Sequence, residues 1–151
     1  GRVTIDEYLT RVVFHRERAF TRRRFTDFML GQSRPYPESL AVVRSLAAGG
    51  RYLLATLNNE SREINEHRIA TFRLGEMFSM FLSSCYLGVR KPHEKMYRLA
   101  VDITQRDPAD CVFVDDRALN LECAALVGMQ TIEFTGATQL QEDLAALGVT
   151  A

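Results

Sequence analysis

The sequence has no surplus of charge and no long apolar run. Its 19 lysines and arginines are balanced by 19 aspartates and glutamates, so the formal net charge is zero. A balanced chain creates no general attraction for nucleic acid or for an anionic membrane surface. No apolar run approaches the length of about 20 residues that a membrane-spanning helix needs. We therefore expect neither nucleic acid nor a membrane as a partner.

Cysteine is scarce, and its spacing argues against two common uses. The three cysteines, at positions 85, 111 and 123, are odd in number and lie among apolar residues. They lack the short paired spacing of a zinc site, and reduced thiols explain them better than disulfides do. No apolar signal segment is present at the start of the sequence. We expect a cytoplasmic protein of one domain, with reduced cysteines.

The most informative stretch is an apolar run that leads directly into two acids. Residues 111–114 read Cys-Val-Phe-Val and are followed by Asp115 and Asp116. A continuous apolar run of this length is typical of a strand that is covered on both faces. Two carboxylates at its carboxyl end could hold a hard cation such as Mg²⁺. The alternative is an aspartate that caps the helix predicted to begin near Arg117.

Strands and helices alternate along the rest of the chain. We predict strands at residues 52–57, 81–84, 111–114 and 130–134, with helices at 37–48, 62–72, 92–103, 118–127 and 139–147. Such alternation indicates an α/β fold with a parallel sheet and right-handed crossovers.

The first 30 residues have a different pattern. Thr4 and Glu7 form a capping box at the start of a predicted helix. A run of arginines follows, with Phe20 and Phe25 between them. Arginines among aromatics could indicate a nucleic-acid surface. We favour one apolar helix stripe of Phe20, Phe25, Phe28 and Met29, with the arginines on its solvated face.

Three marks stand in order along the chain: Asn58-Asn59 after a strand, Lys91-Pro92 before a helix, and Asp115-Asp116 after a strand. With Tyr97, Asn120 and the Gly128-Met129 pair, they resemble the haloacid dehalogenase superfamily, in its branch with a helical cap (subfamily IA type). The resemblance covers essentially the whole chain. It implies a Rossmann-like parallel sheet with helices on both faces. Residues 1–36 would then be a partial N-terminal helical cap, and residues 37–151 the core.

The resemblance also implies the roles of the marked residues. These enzymes are mostly Mg²⁺-dependent phosphatases that form a phosphoaspartate. Lys91 and Asp116 would be catalytic, with Lys91 neutralising the nucleophile and the phosphoryl oxygens. Asp116 and Asp115 would hold the metal, and Asn120 would support them. Together with Lys91, Asn58 and Asn59 would bind phosphate.

This sequence departs from the family pattern in two places. Asn58 stands where the family usually has Ser or Thr, although an amide N–H also donates to a phosphoryl oxygen. The Asp-x-Asp motif that carries the nucleophile on the first, central strand occurs nowhere in the sequence. We therefore expect that this strand is missing from the chain, that the nucleophile lies outside it, and that the 151 residues alone are inactive.

These observations lead to two hypotheses about function. The first is a Mg²⁺-dependent phosphatase of a small phosphorylated metabolite. Two acids in the last motif favour phosphatase over dehalogenase, because dehalogenation needs no metal. The second is an inactive fragment or pseudo-enzyme that binds a phosphate ligand or a protein partner. Pairing through an exposed gap in the sheet would make a homodimer possible.

Overall fold

The computed structural model describes residues 3–151, which form eight α-helices and four β-strands. The strands are β1 (Ala55–Asn58), β2 (Met80–Ser83), β3 (Val112–Asp115) and β4 (Gln130–Glu133). The helices are α1 (Ile5–Val12), α2 (Arg22–Gly31), α3 (Pro37–Gly49), α4 (Arg62–Thr71), α5 (Ser84–Leu87), α6 (Glu94–Thr104), α7 (Ala118–Leu126) and α8 (Ala137–Ala146). Two 3₁₀ turns, Leu74–Glu76 and Pro108–Asp110, precede β2 and β3.

The strands form two parallel pairs. β1 pairs with β2, so that Ala55 lies opposite Met80 and Asn58 opposite Ser83. β3 pairs with β4, from Val112 opposite Gln130 to Asp115 opposite Glu133. Each connection within a pair passes through a helix, as parallel strands require. The prediction of a parallel α/β fold is confirmed.

Apolar helices cover both faces of these strands. On one face, α6 and α7 pack against both strand pairs, and this core is formed by Leu82, Met96, Tyr97, Ala100, Phe113, Leu121, Ala124 and Met129. On the other face, α3 and α8 enclose a second core of Val42, Leu46, Ile132, Leu140 and Leu144. The alternation of β3 explains its place in both cores, since Phe113 points to the first and Val112 and Val114 point to the second. β3 is therefore covered on both faces.

A groove separates the two strand pairs. Among the described residues, β1 pairs only with β2 and β3 only with β4. The space between them is a cavity of about 360 Å³, lined by Ala55 and Leu57 of β1 and by Val112 and Phe113 of β3. Leu82, Ala100 and Met129 form part of its wall. We call this space the inter-sheet groove.

The N-terminal helices confirm one expectation and correct another. The capping box at α1 is present, with the Thr4 side chain accepting from the Glu7 N–H and the Glu7 carboxylate accepting from the Thr4 N–H. The predicted single helix stripe is wrong, because α2 begins only at Arg22 and Phe20 lies before it. Phe20 instead stacks on Phe25, and both rings meet Phe14 edge-on. The aromatics thus join α1 to α2.

Two element boundaries differ from the predictions. The first strand begins at Ala55 rather than at residue 52, because its pairing with β2 begins at Ala55, opposite Met80. The helix after Lys91 begins at Glu94 rather than at Pro92, because the His93 side chain caps it by accepting from the Lys95 N–H.

Among the helices formed by residues 3–151, none combines the length and apolar character required to cross a membrane.

Candidate active site

The loop before α6 lies across the carboxyl ends of the two strand pairs. The Asn59 side chain, directly after β1, holds the Lys91 backbone twice. Its Nδ2 donates to the Lys91 carbonyl and its Oδ1 accepts from the Lys91 N–H, both at 2.8 Å. The Lys91–Pro92 peptide bond is cis. A residue at the end of β1 therefore fixes the position of Lys91.

Lys91 reaches from this loop to the end of β3. Its ammonium donates to Asp115 Oδ2 at 2.5 Å, and the two side chains are only 10% and 6% exposed. The ammonium also lies 5.2 Å from the centre of the Phe113 ring, where a cation–π attraction adds to the ion pair. Low exposure strengthens the pair, since little water screens it. Lys91 thus links the ends of β1 and β3 across the inter-sheet groove.

The second oxygen of Asp115 is also occupied. Oδ1 accepts from Asn120 Nδ2 at 2.8 Å and from the Arg117 N–H at 3.0 Å. Burial alone would raise the pKa of Asp115, but the hydrogen bonds from Lys91 and Asn120, with the Lys91 charge, lower it below its ordinary value. Asp115 is therefore held as a carboxylate whose two oxygens point in fixed directions.

Asp116 is placed differently from its neighbour. It is exposed, and within residues 3–151 no hydrogen bond or salt bridge engages its carboxylate. The described residues contain no group of three His, Cys, Asp or Glu side chains arranged to hold a metal ion. Mg²⁺ keeps several waters and is often bound by only one or two carboxylates. The free carboxylate of Asp116 beside the anchored one of Asp115 fits that requirement.

Asn58 points away from Lys91. Its Nδ2 donates to Oδ1 of Asn65 on α4 at 2.9 Å, and Asn65 Nδ2 donates to the Tyr86 hydroxyl at 3.3 Å. Asn58 Oδ1 is buried without a hydrogen-bond partner among the described residues, as is Thr56 Oγ1 two positions earlier. The structure therefore brings Lys91, Asn59, Asp115 and Asn120 into one network, leaves Asp116 free beside it, and connects Asn58 to α4.

Comparison with known proteins identifies the family. The model of the haloacid dehalogenase-like hydrolases matches residues 4–128. The chain belongs to this family. Flavin mononucleotide hydrolase 1 of Arabidopsis thaliana is 38% identical over 77 residues, which are 51% of this chain and 31% of that protein. (S)-2-haloacid dehalogenase 4A of Burkholderia cepacia is 27% identical over 97 residues, which are 64% of this chain and 42% of the dehalogenase.

A solved structure supports the same fold. A haloacid dehalogenase family enzyme of Bacteroides thetaiotaomicron, in complex with magnesium and inorganic phosphate, superposes with a TM-score of 0.77 at 17% identity. The match covers 89% of this chain and 71% of that one. At this identity the likeness concerns the fold alone. This haloacid dehalogenase-like chain thus spans less than half the length of either curated relative described above.

The haloacid dehalogenase-like site has supporting residues that the sequence did not reveal. Arg68 pairs with Glu60 at 2.7 Å, and the Glu60 N–H donates to Ser84 Oγ at 3.1 Å. These contacts fix the loop after β1 against α4 and α5. No sequence signal marked them, because Glu60 lies in a loop and no helical spacing relates it to Arg68. Asn65 is only 2% exposed. The sequence gave one weak indication of its burial, because it is a polar residue next to Ile64 on the inner face of a helix.

Tyr97 is the largest fully buried side chain, and it lies in the core beneath α6 and α7. Its ring meets Phe113 edge-on at 5.4 Å, and its hydroxyl has no partner among the described residues. Burial raises the pKa of Tyr97, and the nearby Cys123 and Asp115 raise it further. The phenol therefore stays neutral and supports Phe113, on which the Lys91 ammonium lies.

Proposed function

We propose that this haloacid dehalogenase-like protein is a Mg²⁺-dependent phosphatase of a small phosphorylated metabolite. The attacking carboxylate, which would form the phosphoaspartate, comes from a segment outside the described residues. The observation that carries the proposal is the Lys91–Asp115 pair, held at the carboxyl ends of β1 and β3 by Asn59 and Asn120. Ligands of open α/β sheets bind at this edge.

Lys91 supplies the positive charge of the site. An ammonium is a compact point charge, which suits a phosphoryl group whose negative charge is spread over several oxygens. Asn59 fixes the backbone of Lys91 and Asp115 fixes its side chain, so the charge is oriented before a ligand arrives. Fixed dipoles and charges of this kind need no reorganisation during reaction.

The acids divide into an anchored one and a free one. Asp116 would hold Mg²⁺ directly, with Asp115 orienting the shell through its own fixed oxygens. A bound magnesium ion would neutralise charge on the phosphoryl oxygens. The two neighbouring acids favour phosphatase over dehalogenase chemistry, because a dehalogenase requires no metal. The relative from Burkholderia cepacia is a dehalogenase, so the two activities are compared directly in the test.

Residues 1–36 would form part of a cap over this edge. The Ile5 N–H donates to Glu63 Oε1 at 3.4 Å, and Arg68 Nε donates to Ser33 Oγ at 3.1 Å, so both ends of this segment contact α4. α4 begins three residues after Asn59, close to the site. A cap in this position would contribute to substrate selection.

The test measures release of inorganic phosphate from a panel of phosphomonoesters, and of halide from 2-haloacids, by the natural protein that contains this chain. We expect phosphate release that requires Mg²⁺ and falls by about 100-fold or more in Lys91→Met, the loss typical of removing one electrostatic stabiliser. Arg44→Met removes an exposed cation on α3 and should retain activity. Halide release without Mg²⁺ would replace the proposal by dehalogenation. Phosphate binding without turnover would support the pseudo-enzyme alternative.

A further inference from the structure

A second cavity lies just beyond the carboxyl end of β2, beside Lys91. Its volume is about 770 Å³, and the residues on either side of Lys91 in the sequence, Arg90 and Pro92, both line it. This volume is in the range of pockets that hold small molecules. We call it the basic pocket, and its lining consists of Val3, Ser84, Gly88, Val89, Arg90, Pro92, His93 and Lys95.

The ionisable side chains that line the basic pocket are all basic. They are Arg90, His93 and Lys95, and no aspartate or glutamate is among the lining residues. Within residues 3–151, neither the Arg90 guanidinium nor the Lys95 ammonium makes a hydrogen bond or a salt bridge. A cleft lined by charges of one sign concentrates their field and attracts ions of the opposite sign. The basic pocket therefore favours an anion.

The acids nearest to the basic pocket along the chain are bonded to other partners. Glu94 accepts from Arg98 Nε at 2.5 Å, one turn further along α6. Glu60, whose backbone N–H donates to Ser84 Oγ, pairs with Arg68 at 2.7 Å. Neither carboxylate is part of the lining. The residues that line the pocket therefore leave its positive charge without compensation.

The backbone holds two of the basic side chains in relation to Lys91. The His93 N–H donates to the Arg90 carbonyl at 3.0 Å and closes a turn around Lys91, whose backbone is also bonded to Asn59. His93 Nδ1 accepts from the Lys95 N–H at 3.2 Å, so Nε2 carries a proton and remains available to donate. One turn thus carries both Lys91 and two donors of the basic pocket.

These donors suit an oxyanion attached to a small organic molecule. A guanidinium and an imidazole N–H offer directed hydrogen bonds to a carboxylate or a phosphate, and an ammonium adds a compact charge. Val89 and Pro92 provide apolar surface for the carbon atoms of a ligand. A phosphomonoester without a further charge would leave Arg90 and Lys95 unpaired.

We propose that the basic pocket binds a second anionic group of the substrate, a carboxylate or a second phosphate, while the phosphoryl group to be transferred lies at Lys91. The substrate class is then a phosphomonoester that carries another negative charge at its far end. The position of the phosphoryl group rests on the proposed function, whereas binding of an anion by Arg90, His93 and Lys95 does not.

The first test compares matched substrates of the natural protein that contains this chain. 3-Phosphoglycerate and glycerol 3-phosphate share a three-carbon skeleton and differ in a terminal carboxylate or hydroxymethyl group. Fructose 1,6-bisphosphate and fructose 6-phosphate provide the same comparison for a second phosphate. In at least one pair, we expect kcat/KM to be about tenfold or more higher for the doubly anionic member, the gain from one hydrogen bond between charged groups. Equal values within both pairs would overturn the proposal.

Variants locate the source of this preference. Arg90→Met with Lys95→Met removes both charges and should raise KM for the preferred doubly anionic substrate by about tenfold or more, with a smaller change in kcat, because the pocket holds the remote group. Lys95→Arg keeps the charge and should keep the preference. Arg44→Met, an exposed change on α3, should also keep it. An unchanged preference in the double variant, or an equal loss in Arg44→Met, would contradict the pocket.

A binding measurement separates the basic pocket from the chemistry. Calorimetric titration in EDTA, without Mg²⁺, should give a Kd for the preferred doubly anionic compound about tenfold or more below that of its partner, and the double variant should abolish this difference. Circular dichroism shows beforehand whether each variant is folded. Preferential binding without turnover of any phosphomonoester would support the pocket and refute the proposed function. Turnover with equal binding of both compounds in each pair would support the proposed function and refute the pocket.

Discussion

At the scale of single residues, the adjacent Asn58 and Asn59 side chains have different hydrogen-bond partners. Asn59 binds the Lys91 backbone, while Asn58 binds Asn65 on α4. The family resemblance implies a role in phosphate binding for both. Neighbouring residues at the end of a strand point to opposite sides of the sheet, so their separation follows from strand geometry. Once the end of β1 was known, alternation would have separated them, although it could not have shown which one faces Lys91.

Asp115 and Asp116 are also neighbours in sequence that have different surroundings. Asp115 is buried and bonded to Lys91, Asn120 and the Arg117 N–H, whereas Asp116 is exposed. The sequence placed the pair at the end of a buried strand. It could not indicate which carboxylate would be anchored, because that depends on Lys91, which lies 24 positions earlier in the chain.

The stability that Asp115 provides should depend on pH. Its pKa in the folded protein lies below the ordinary value of 3.8, so its contribution is present at neutral pH and is lost as the pH falls through the lowered pKa. Asp115→Asn should cost about 3 kcal/mol of unfolding free energy at pH 7, as expected for breaking a buried pair. The difference from the unsubstituted protein should shrink below about pH 4. Urea unfolding between pH 3 and pH 7 measures both quantities.

The control for this experiment is Asp102→Asn, which removes an exposed carboxylate on α6. It should change the unfolding free energy by less than about 0.5 kcal/mol at any of these pH values. A difference between Asp115→Asn and the unsubstituted protein that stayed constant down to pH 3 would contradict the lowered pKa of Asp115.

At the scale of helices and strands, the turn between α7 and β4 has a strict requirement. Gly128 has a φ of +100°, and a Cβ at this position would lie 3.3 Å from Pro108 Cβ. Gly50, at the end of α3, has a φ of +63° with open space around it. Both positions favour glycine for backbone reasons, but only Gly128 is also crowded.

Alanine at these two positions should therefore have unequal costs. We expect Gly50→Ala to lose about 1 kcal/mol of unfolding free energy, the cost of a left-handed backbone, and Gly128→Ala to lose about 2 kcal/mol or more. The added loss comes from displacing Pro108 in the turn before β3. Chemical denaturation of both variants under one set of conditions provides the comparison. Equal losses of unfolding free energy would show that Pro108 can move away from the added Cβ without a free-energy cost.

The elements themselves were largely predictable, and their pairing was not. Apolar runs located all four strands, and the order of strands and helices gave the parallel arrangement. The start of β1 is set by its pairing with β2, and the start of α6 by the His93 cap, and apolar periodicity indicates neither. The prediction of an apolar helix stripe that includes Phe20 was wrong, because Phe20 lies in a bend before α2 and helical spacing does not extend across that bend.

At the scale of the whole molecule, two regions differ in how much apolar surface they bury. In α1 only Leu9 is buried, and α2 has no buried residue. The helices that cover the strands, α3, α6, α7 and α8, bury two or three residues each, such as Met96, Tyr97 and Ala100 in α6. Because burial is the main source of stability, opening the N-terminal helices should require less free energy than opening the core. This expectation tests the division into residues 1–36 and 37–151.

Native-state hydrogen exchange measures that difference directly. Amides of α1 and α2 should exchange through an opening that leaves β1 and β3 protected, with an opening free energy at least about 2 kcal/mol smaller than that of the core, a gap typical of separate cooperative units. Ser33→Ala removes the hydrogen bond to Arg68 and should lower the opening free energy of the N-terminal helices by about 1 kcal/mol without affecting the core. Ser45→Ala, an exposed change on α3, should affect neither region. If the N-terminal helices and the core exchanged at one common free energy, with Ser33→Ala lowering both equally, the chain would open as a single unit and the boundary at residue 36 would be wrong.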